Sequence, residues 1–211
     1  MVQSPILAQR QSAMSIWINK SFIILALVGL TACQGFDFAP QSRKIAILDG
    51  AVTVAPPKGY CVDAESSRTG NDSAVILMGR CSATSTLAAA FVTASLGAAG
   101  SDAALSIGPV ALTSFFNSDE GLAMLSSSGK PEDVAVTTSQ IDGETLFLLI
   151  EDKASGTYWR AFSSLQGRLL TLTAAGVDTV ILNSDDGRAL LAQTLVALNK
   201  ANPKPRVPKA G

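Results

Sequence analysis

Two Asp-Gly pairs constrain the fold of this chain more than any other feature of its sequence. Each pair separates two short stretches rich in apolar and β-branched residues. Asp-Gly in this setting is typical of a tight β-hairpin, because both residues tolerate the positive φ that the turn requires. The predicted hairpins are 44–48 with 51–55 around Asp49-Gly50, and 134–141 with 144–151 around Asp142-Gly143.

Further turn signals extend the second hairpin into a meander. Turns are indicated at 152–156 and 166–167, so strands are predicted at 157–165 and 168–174. A helix is expected to follow from Ser184 or Asp185 and to stop at Asn202-Pro203, because apolar residues recur between them at helical spacing. That stripe consists of Leu190, Leu191, Thr194, Leu195 and Leu198.

The first half of the chain predicts both strands and helices. The apolar run 73–80 suits a buried strand, and the alanine-rich run 87–95 is interpreted as a strand rather than a helix. Short helices are predicted at 109–116 and 119–125, the second capped by Ser118. The fold class is therefore α+β, an antiparallel sheet with helices packed on it. This order of elements resembles the PsbP-like sandwich, which implies helices on both faces of the sheet.

An export segment is predicted at the start of the chain. Lys20 precedes a run of twelve mostly apolar residues that ends in small side chains. This layout is typical of a signal peptide, and the run is shorter than the roughly 20 residues that span a bilayer as a helix. Met14 would give a more compact leader than Met1 and is a candidate for the true start.

The end of that run resembles the lipobox of bacterial lipoproteins, with Leu30-Thr31-Ala32 before Cys33. The resemblance implies cleavage before Cys33, acylation of that cysteine and anchoring to a membrane by the lipid. By the same family's sorting rule, Gln34 favours the periplasmic face of the outer membrane. The alternatives are an ordinary signal peptide and a core helix. The predicted organisation is a signal peptide at 1–32, a tether at 33–43, one domain at 44–201 and a disordered, basic, proline-rich tail at 202–211.

Cysteine usage agrees with an exported domain. With Cys33 taken by lipid, Cys61 and Cys81 remain as a pair in an oxidising compartment. A bridge between them would close a loop of about 20 residues and stabilise the domain by roughly 3 kcal/mol. The alternative is two buried free thiols.

Charge and residue types exclude several classes of function. Arg10 and Lys20 are the only charged residues before Cys33, which leaves 14 basic and 17 acidic residues, a net charge of −3. This balance lacks the concentrated basic surface of nucleic-acid-binding proteins. The chain has no histidine, which excludes histidine-based triads and histidine-ligated metals. No metal or cofactor site is predicted.

Two patterns resemble catalytic motifs only superficially. Ser127-Ser128-Gly129-Lys130 fits the serine–lysine spacing of penicillin-binding enzymes, but it follows a predicted helix, contains glycine and precedes proline. Pairs of acidic residues also recur, and paired carboxylates hydrolyse sugars when held roughly 5 to 9 Å apart. Most of these pairs sit at predicted turns or helix starts, where acids have ordinary local roles.

One polar cluster is a candidate interaction site. Tyr158 and Trp159 are adjacent on a predicted strand and therefore face opposite sides of the sheet. Arg160 falls on the face of Tyr158, and Glu151 is a candidate cross-strand partner for it. The function predicted from the sequence is a membrane-anchored, non-catalytic binding domain whose partner is an envelope protein, peptidoglycan or a small ligand. The alternative is a carboxylate-based envelope hydrolase.

Overall fold

Alternation of apolar and polar residues builds most of this domain, whose computed structural model describes residues 44–177 and 182–203. The predicted signal peptide, lipidation site and tether, and the tail beyond residue 203, lie outside the described residues. The strands are β1 Ile45–Ile47, β2 Val52–Val54, β3 Tyr60–Thr69, β4 Ala74–Arg80, β5 Ala90–Leu96, β6 Val134–Asp142, β7 Thr145–Asp152, β8 Gly156–Leu165 and β9 Arg168–Gly176. The helices are α1 Pro109–Phe116, α2 Asp119–Leu125 and α3 Ser184–Ala201, with 3-10 segments at Ser101–Ile107 and Pro131–Asp133.

Seven of the strands form one antiparallel sheet, in the order β3-β4-β5-β9-β8-β7-β6. The predicted meander is β6 to β9, and both predicted Asp-Gly hairpins are present, since β1 and β2 pair as a separate two-stranded sheet. Gln166 and Gly167 join β8 to β9 with φ values of 52° and 70°, which suits a tight turn of the I′ type. The α+β fold class is confirmed.

Helices lie on both faces of this sheet and define two apolar cores. On one face, α3 and the β1–β2 hairpin bury a large core that includes Trp159, Leu172 and Leu191. On the other face, α1 and α2 cover the side chains of β6, β7 and β8 around Phe116 and Leu148. The described residues belong to one compact unit, which contains both cores, the disulfide and three ion pairs.

The structure adds elements that were not predicted from the sequence. Strand β3 lies at one edge of the sheet, and its second half, from Ala64 onward, is mostly exposed and polar. A register shift between Asp63 and Arg68 interrupts the alternation that would have indicated a strand. The 3-10 segment Ser101–Ile107 was also not predicted.

The Cys61–Cys81 disulfide fastens β3 to the end of β4, with the two Cα atoms 5.0 Å apart. Cys61 is buried and Cys81 is exposed. The bond therefore holds the edge strand at a point where its ladder with β4 begins.

Asn202 does more than end α3. The sequence places it at the start of the tail, yet its side chain is buried. Its amide group accepts a hydrogen bond from Thr53 N (2.8 Å) and donates to Thr53 O (2.7 Å) and Leu198 O (2.8 Å). Asn202 thus satisfies the backbone of β2 as a neighbouring strand would, and fixes the end of α3 to the small hairpin.

We predict that Asn202→Ala destabilises the domain by about 2 kcal/mol, because it leaves a partly buried backbone N–H and C=O of Thr53 without partners. Urea unfolding measures the loss. Asn199→Ala, on the exposed side of the same helix, is the control and should change stability by less than about 0.5 kcal/mol. Equal stability of the two variants would contradict the role given to Asn202.

Gly187 fits α3 against the sheet. A Cβ atom at this position would lie 2.6 Å from Trp159 Cδ1 and 3.1 Å from Leu182 Cδ2. Trp159 is only 2% exposed, and its Nε1 has no hydrogen-bond partner among the residues described. The indole is therefore held by packing, and the helix approaches it closely because residue 187 has no side chain.

We expect Gly187→Ala to lower the free energy of unfolding by about 1–3 kcal/mol, since the added methyl group overpacks a full core. Helix propensity alone predicts the opposite sign, a gain of up to about 1 kcal/mol. Thermal or urea unfolding of Gly187→Ala distinguishes these two expectations. Gln193→Ala, at an exposed position of α3, is the control. A stabilised Gly187→Ala variant would show that the contact with Trp159 is not restrictive.

Candidate binding surface

Within the part of the chain that the structure describes, no helix covers one half of one sheet face. In β5 and β9 every second side chain is buried and the others are half-buried, whereas β7 and β8 bury most of their side chains on both faces. The contrast is clearest in β4, where Val75 is 45% exposed and its neighbour Ile76 is fully buried. We call this uncovered surface the open face; it consists of Val75, Leu77, Phe91, Thr93, Ser95, Leu169, Thr171 and Thr173.

The open face combines hydroxyl groups with apolar side chains in a defined register. Thr93 lies directly opposite Thr173, and Ser95 lies directly opposite Thr171, so four hydroxyl-bearing residues are clustered on two central strands. Leu77 lies opposite Thr93 on the next strand. The surface therefore changes from apolar at β4 to hydroxylated at β5 and β9.

Arg160 stands at the border between the open face and the half covered by α1 and α2. It lies opposite Thr173 of β9 on one side and opposite Leu148 of β7 on the other. Its Nε donates to Thr173 Oγ1 (3.3 Å), and its Cζ lies 5.1 Å from the centre of the Tyr158 ring. The guanidinium group is half-buried and directed toward β9.

Arg160 differs from Arg168 and Arg188 in having no carboxylate partner among the described residues. Arg168 pairs with Asp72 at 2.7 Å, and Arg188 lies 3.5 Å from Asp142. No ion pair to Arg160 is formed within 44–177 and 182–203. A half-buried guanidinium without a counter-ion is a group to which a ligand's negative charge can bind.

The three residues singled out from the sequence are only partly brought together. Tyr158 and Arg160 share a face, and Tyr158 is buried, with its hydroxyl donating to Leu125 O at the end of α2. Burial is the main cause that raises the pKa of Tyr158, so the phenol stays neutral. Glu151 does not reach Arg160, because it lies opposite Thr157, whose side chain points to the other face of the sheet.

Tyr158 and Trp159 are both core residues, at 5% and 2% exposure. Helices cover both faces of the sheet at this point, so neither aromatic ring is free for a ligand. Glu151 is exposed but lies on the other face of the sheet, so Arg160 is the accessible polar group of the predicted cluster on the face of Tyr158.

A cleft of about 340 Å³ lies at one end of the open face, lined by Arg68, Val75, Ser95, Leu169 and Thr171 among others. Its rim is held by Arg168, whose Nη1 donates to Asp72 O, Asp72 Oδ1 and Gly97 O at 2.6–2.9 Å. The Arg168 guanidinium is also the main cause that lowers the pKa of Asp72. These bonds tie the β3–β4 turn to the end of β5, so the cleft is bordered by fixed loops.

Two pairs of neighbouring acidic residues, Glu132-Asp133 and Glu151-Asp152, line a second cleft of about 360 Å³ beside the edge strand β6. Lys153 also lines this cleft. Lys153 and Ser128 donate to Asp133 and lower its pKa.

The buried Asp152 carboxylate fixes the neighbouring turns. It accepts the backbone N–H groups of Ser127, Ala154 and Ser155 at 2.7–2.8 Å. These bonds, that of Ser127 foremost, lower the pKa of Asp152. Asp133 and Asp152 are therefore held as carboxylates by local partners, whereas a general acid needs a raised pKa.

The serine–lysine pattern lies in an exposed turn after α2 rather than at the start of a helix. The Ser127 hydroxyl contacts the Ser155 hydroxyl, and Ser127 N donates to Asp152.

Within the described residues no cluster of three potential metal ligands occurs. No helix among these residues is long and apolar enough to cross a membrane.

We predict that the stability supplied by Asp152 is lost in acid. Because its pKa is lowered by folding, its contribution is fully present above the unfolded value of about 3.9 and falls as the pH drops through the folded value. Asp152→Asn should cost about 1 kcal/mol or more at pH 7, and the difference from wild type should shrink below about pH 4. Urea unfolding at pH 7 and pH 3 measures both, with the exposed Glu151→Gln as control; a pH-independent difference would contradict this.

Comparison with known proteins gives little. No protein-family profile matches the chain, and no curated protein matches it. Among solved structures, the E65A mutant of protein Mog1 aligns over 75% of this chain and 93% of its own, with 12% identity and a TM-score of 0.38. A TM-score this low supports no argument about fold or function, and the PsbP-like resemblance stays a prediction.

Proposed function

We propose that the chain is a lipid-anchored protein of the bacterial envelope whose domain binds a ligand or partner through the open face without catalysing a reaction. The observation that carries this proposal is the uncovered half-face itself, on which apolar and hydroxyl side chains adjoin an arginine that has no counter-ion among the described residues.

The proposed localisation in the envelope is supported by the sequence around Cys33 and by the disulfide. The lipobox-like Leu30-Thr31-Ala32-Cys33 follows a signal-like apolar run. The Cys61–Cys81 bond suits an oxidising compartment such as the periplasm. The stretch 33–43 is long enough, at up to about 3.5 Å per residue, to let the domain stand clear of the bilayer surface.

The binding role is supported by what the open face exposes. A surface that is apolar at β4 and hydrogen-bonding at β5 and β9 offers contact area and orientation together, which is the usual composition of a binding site. The carboxylate-hydrolase alternative gains no such support, because Asp133 and Asp152 are held ionised by neighbouring donors.

The proposed lipid anchor is tested by measuring the intact mass of the protein after extraction from its native membrane. The proposal predicts a chain that begins at Cys33 and carries acyl groups, with a gain of about two daltons on reduction of the disulfide. A mass that begins at Met1 or Met14, or lacks acyl groups, would contradict the anchor.

The binding surface is tested by photocrosslinking in intact cells. A benzophenone side chain is placed at Leu77 or Thr93 on the open face, at Val110 on α1 and at Val196 on the outer side of α3; the two valines are 71% and 69% exposed. We expect adducts, detected by mass, from Leu77 and Thr93 and not from Val196. Adducts confined to Val110 would assign binding to the helical layer instead, and their absence from the open face would refute the proposal.

A further inference from the structure

We infer that the ligand of the open face is an amphipathic anion, whose carboxylate or phosphate binds Arg160 and whose apolar part lies across β9 and β5 toward Leu77. This inference rests on the proposed function and names the chemistry of its ligand.

The donor inventory of Arg160 supports the anionic group. A guanidinium group has five N–H donors. In Arg160, Nε donates to Thr173 Oγ1. Within the described residues, no hydrogen bond engages the outer edge formed by Nη1 and Nη2, and no carboxylate neutralises the charge. That edge matches two oxygens of a carboxylate or phosphate.

The orientation of Arg160 is fixed before any ligand arrives. Thr173 Oγ1 on β9 accepts a hydrogen bond from Nε, and the Arg160 Cζ lies over the Tyr158 ring, 5.1 Å from its centre. Tyr158 is itself held by its bond to Leu125 O. An arginine restrained on two sides loses less conformational freedom when it binds an anion, which strengthens binding.

The other side of the open face supports the apolar part. Thr173, Thr93 and Leu77 form one row across β9, β5 and β4. Neighbouring strands lie about 4.8 Å apart, so the row places Leu77 roughly 10 Å from Thr173, across the hydroxyl cluster. Phe91 and Val75 flank this row, and Val75 is 45% exposed. A ligand bound through its anionic group at Arg160 therefore reaches apolar surface with a chain of several methylene groups.

The experiment uses the chain from residue 33 onward with Cys33→Ser, which removes the lipid but keeps the whole described domain. Hexanoate, hexanamide and acetate are titrated while the Arg160 Nε–H and the amides of Thr93 and Thr173 are followed by NMR. Hexyl phosphate and inorganic phosphate form a second arm, which distinguishes a carboxylate ligand from a phosphate one. We expect hexanoate or hexyl phosphate to bind about tenfold more tightly than hexanamide and than the corresponding short anion.

Variants separate the two halves of the site. Arg160→Gln should abolish the preference for the charged probe over hexanamide, and Leu77→Asn should abolish the preference for the longer anion over the short one. Lys200→Gln removes the same charge at an exposed position of α3, on the other face of the sheet, and should leave both preferences intact. The amide spectrum of each variant reports whether it is folded.

Equal binding of hexanoate, hexyl phosphate and hexanamide, or a preference that survives Arg160→Gln, would overturn the inference. If crosslinks to Leu77 and Thr93 persist in cells while these probes fail to bind, the open face remains a binding surface and the ligand is of another class, such as a protein segment. If the probes fail to bind and the crosslinks are also absent, both the inference and the proposed function fail.

Discussion

The pairing of β5 with β9 is the constraint on which the rest of the structure depends. Seven residue pairs, from Ala90–Gly176 to Leu96–Leu170, join segments more than 70 residues apart. Without this ladder, β3 to β5 and the meander β6 to β9 would be two small sheets, each with an additional unpaired edge. With it, a single sheet of seven strands carries one continuous core beneath α3 and the β1–β2 hairpin. Backbone bonds from Gly97 N to Leu169 O and from Val177 N to Ala89 O extend the junction at both ends.

The open face follows from this junction. The chain between β5 and β6 supplies α1 and α2, which cover the β6–β8 half of the sheet. The other half of the same face receives neither helix, so the side chains of β4, β5 and the middle of β9 that point to this face are half-buried or exposed. Arg160 lies where the two halves meet, and the two residues opposite it, Leu148 and Thr173, carry no charge.

Local signals account for the parts of the fold that could be predicted from the sequence. The Asp-Gly hairpins, the apolar stripe of α3 and the Ser118 cap, which accepts from Gly121 N, each depend on residues close in the chain. Strand β3 gave no such signal, because an exposed edge with a register shift loses its alternation. The two hydrogen bonds of Asn202 to Thr53 join residues 149 apart, and composition does not indicate them. The expected pairing of Glu151 with Arg160 was wrong. The face of each side chain depends on the exact register, which cannot be read from turn positions alone.

The central claim, that the open face is occupied in the envelope, is tested most directly by its accessibility there. Single cysteines at Thr93→Cys on the open face and Gln193→Cys on the exposed side of α3 are labelled with a maleimide, both in intact cells made permeable at the outer membrane and in the purified protein. We predict that residue 93 is labelled at least severalfold more slowly in the envelope than in the purified protein, and that residue 193 is labelled at equal rates in both. Equal rates at residue 93 would contradict the claim.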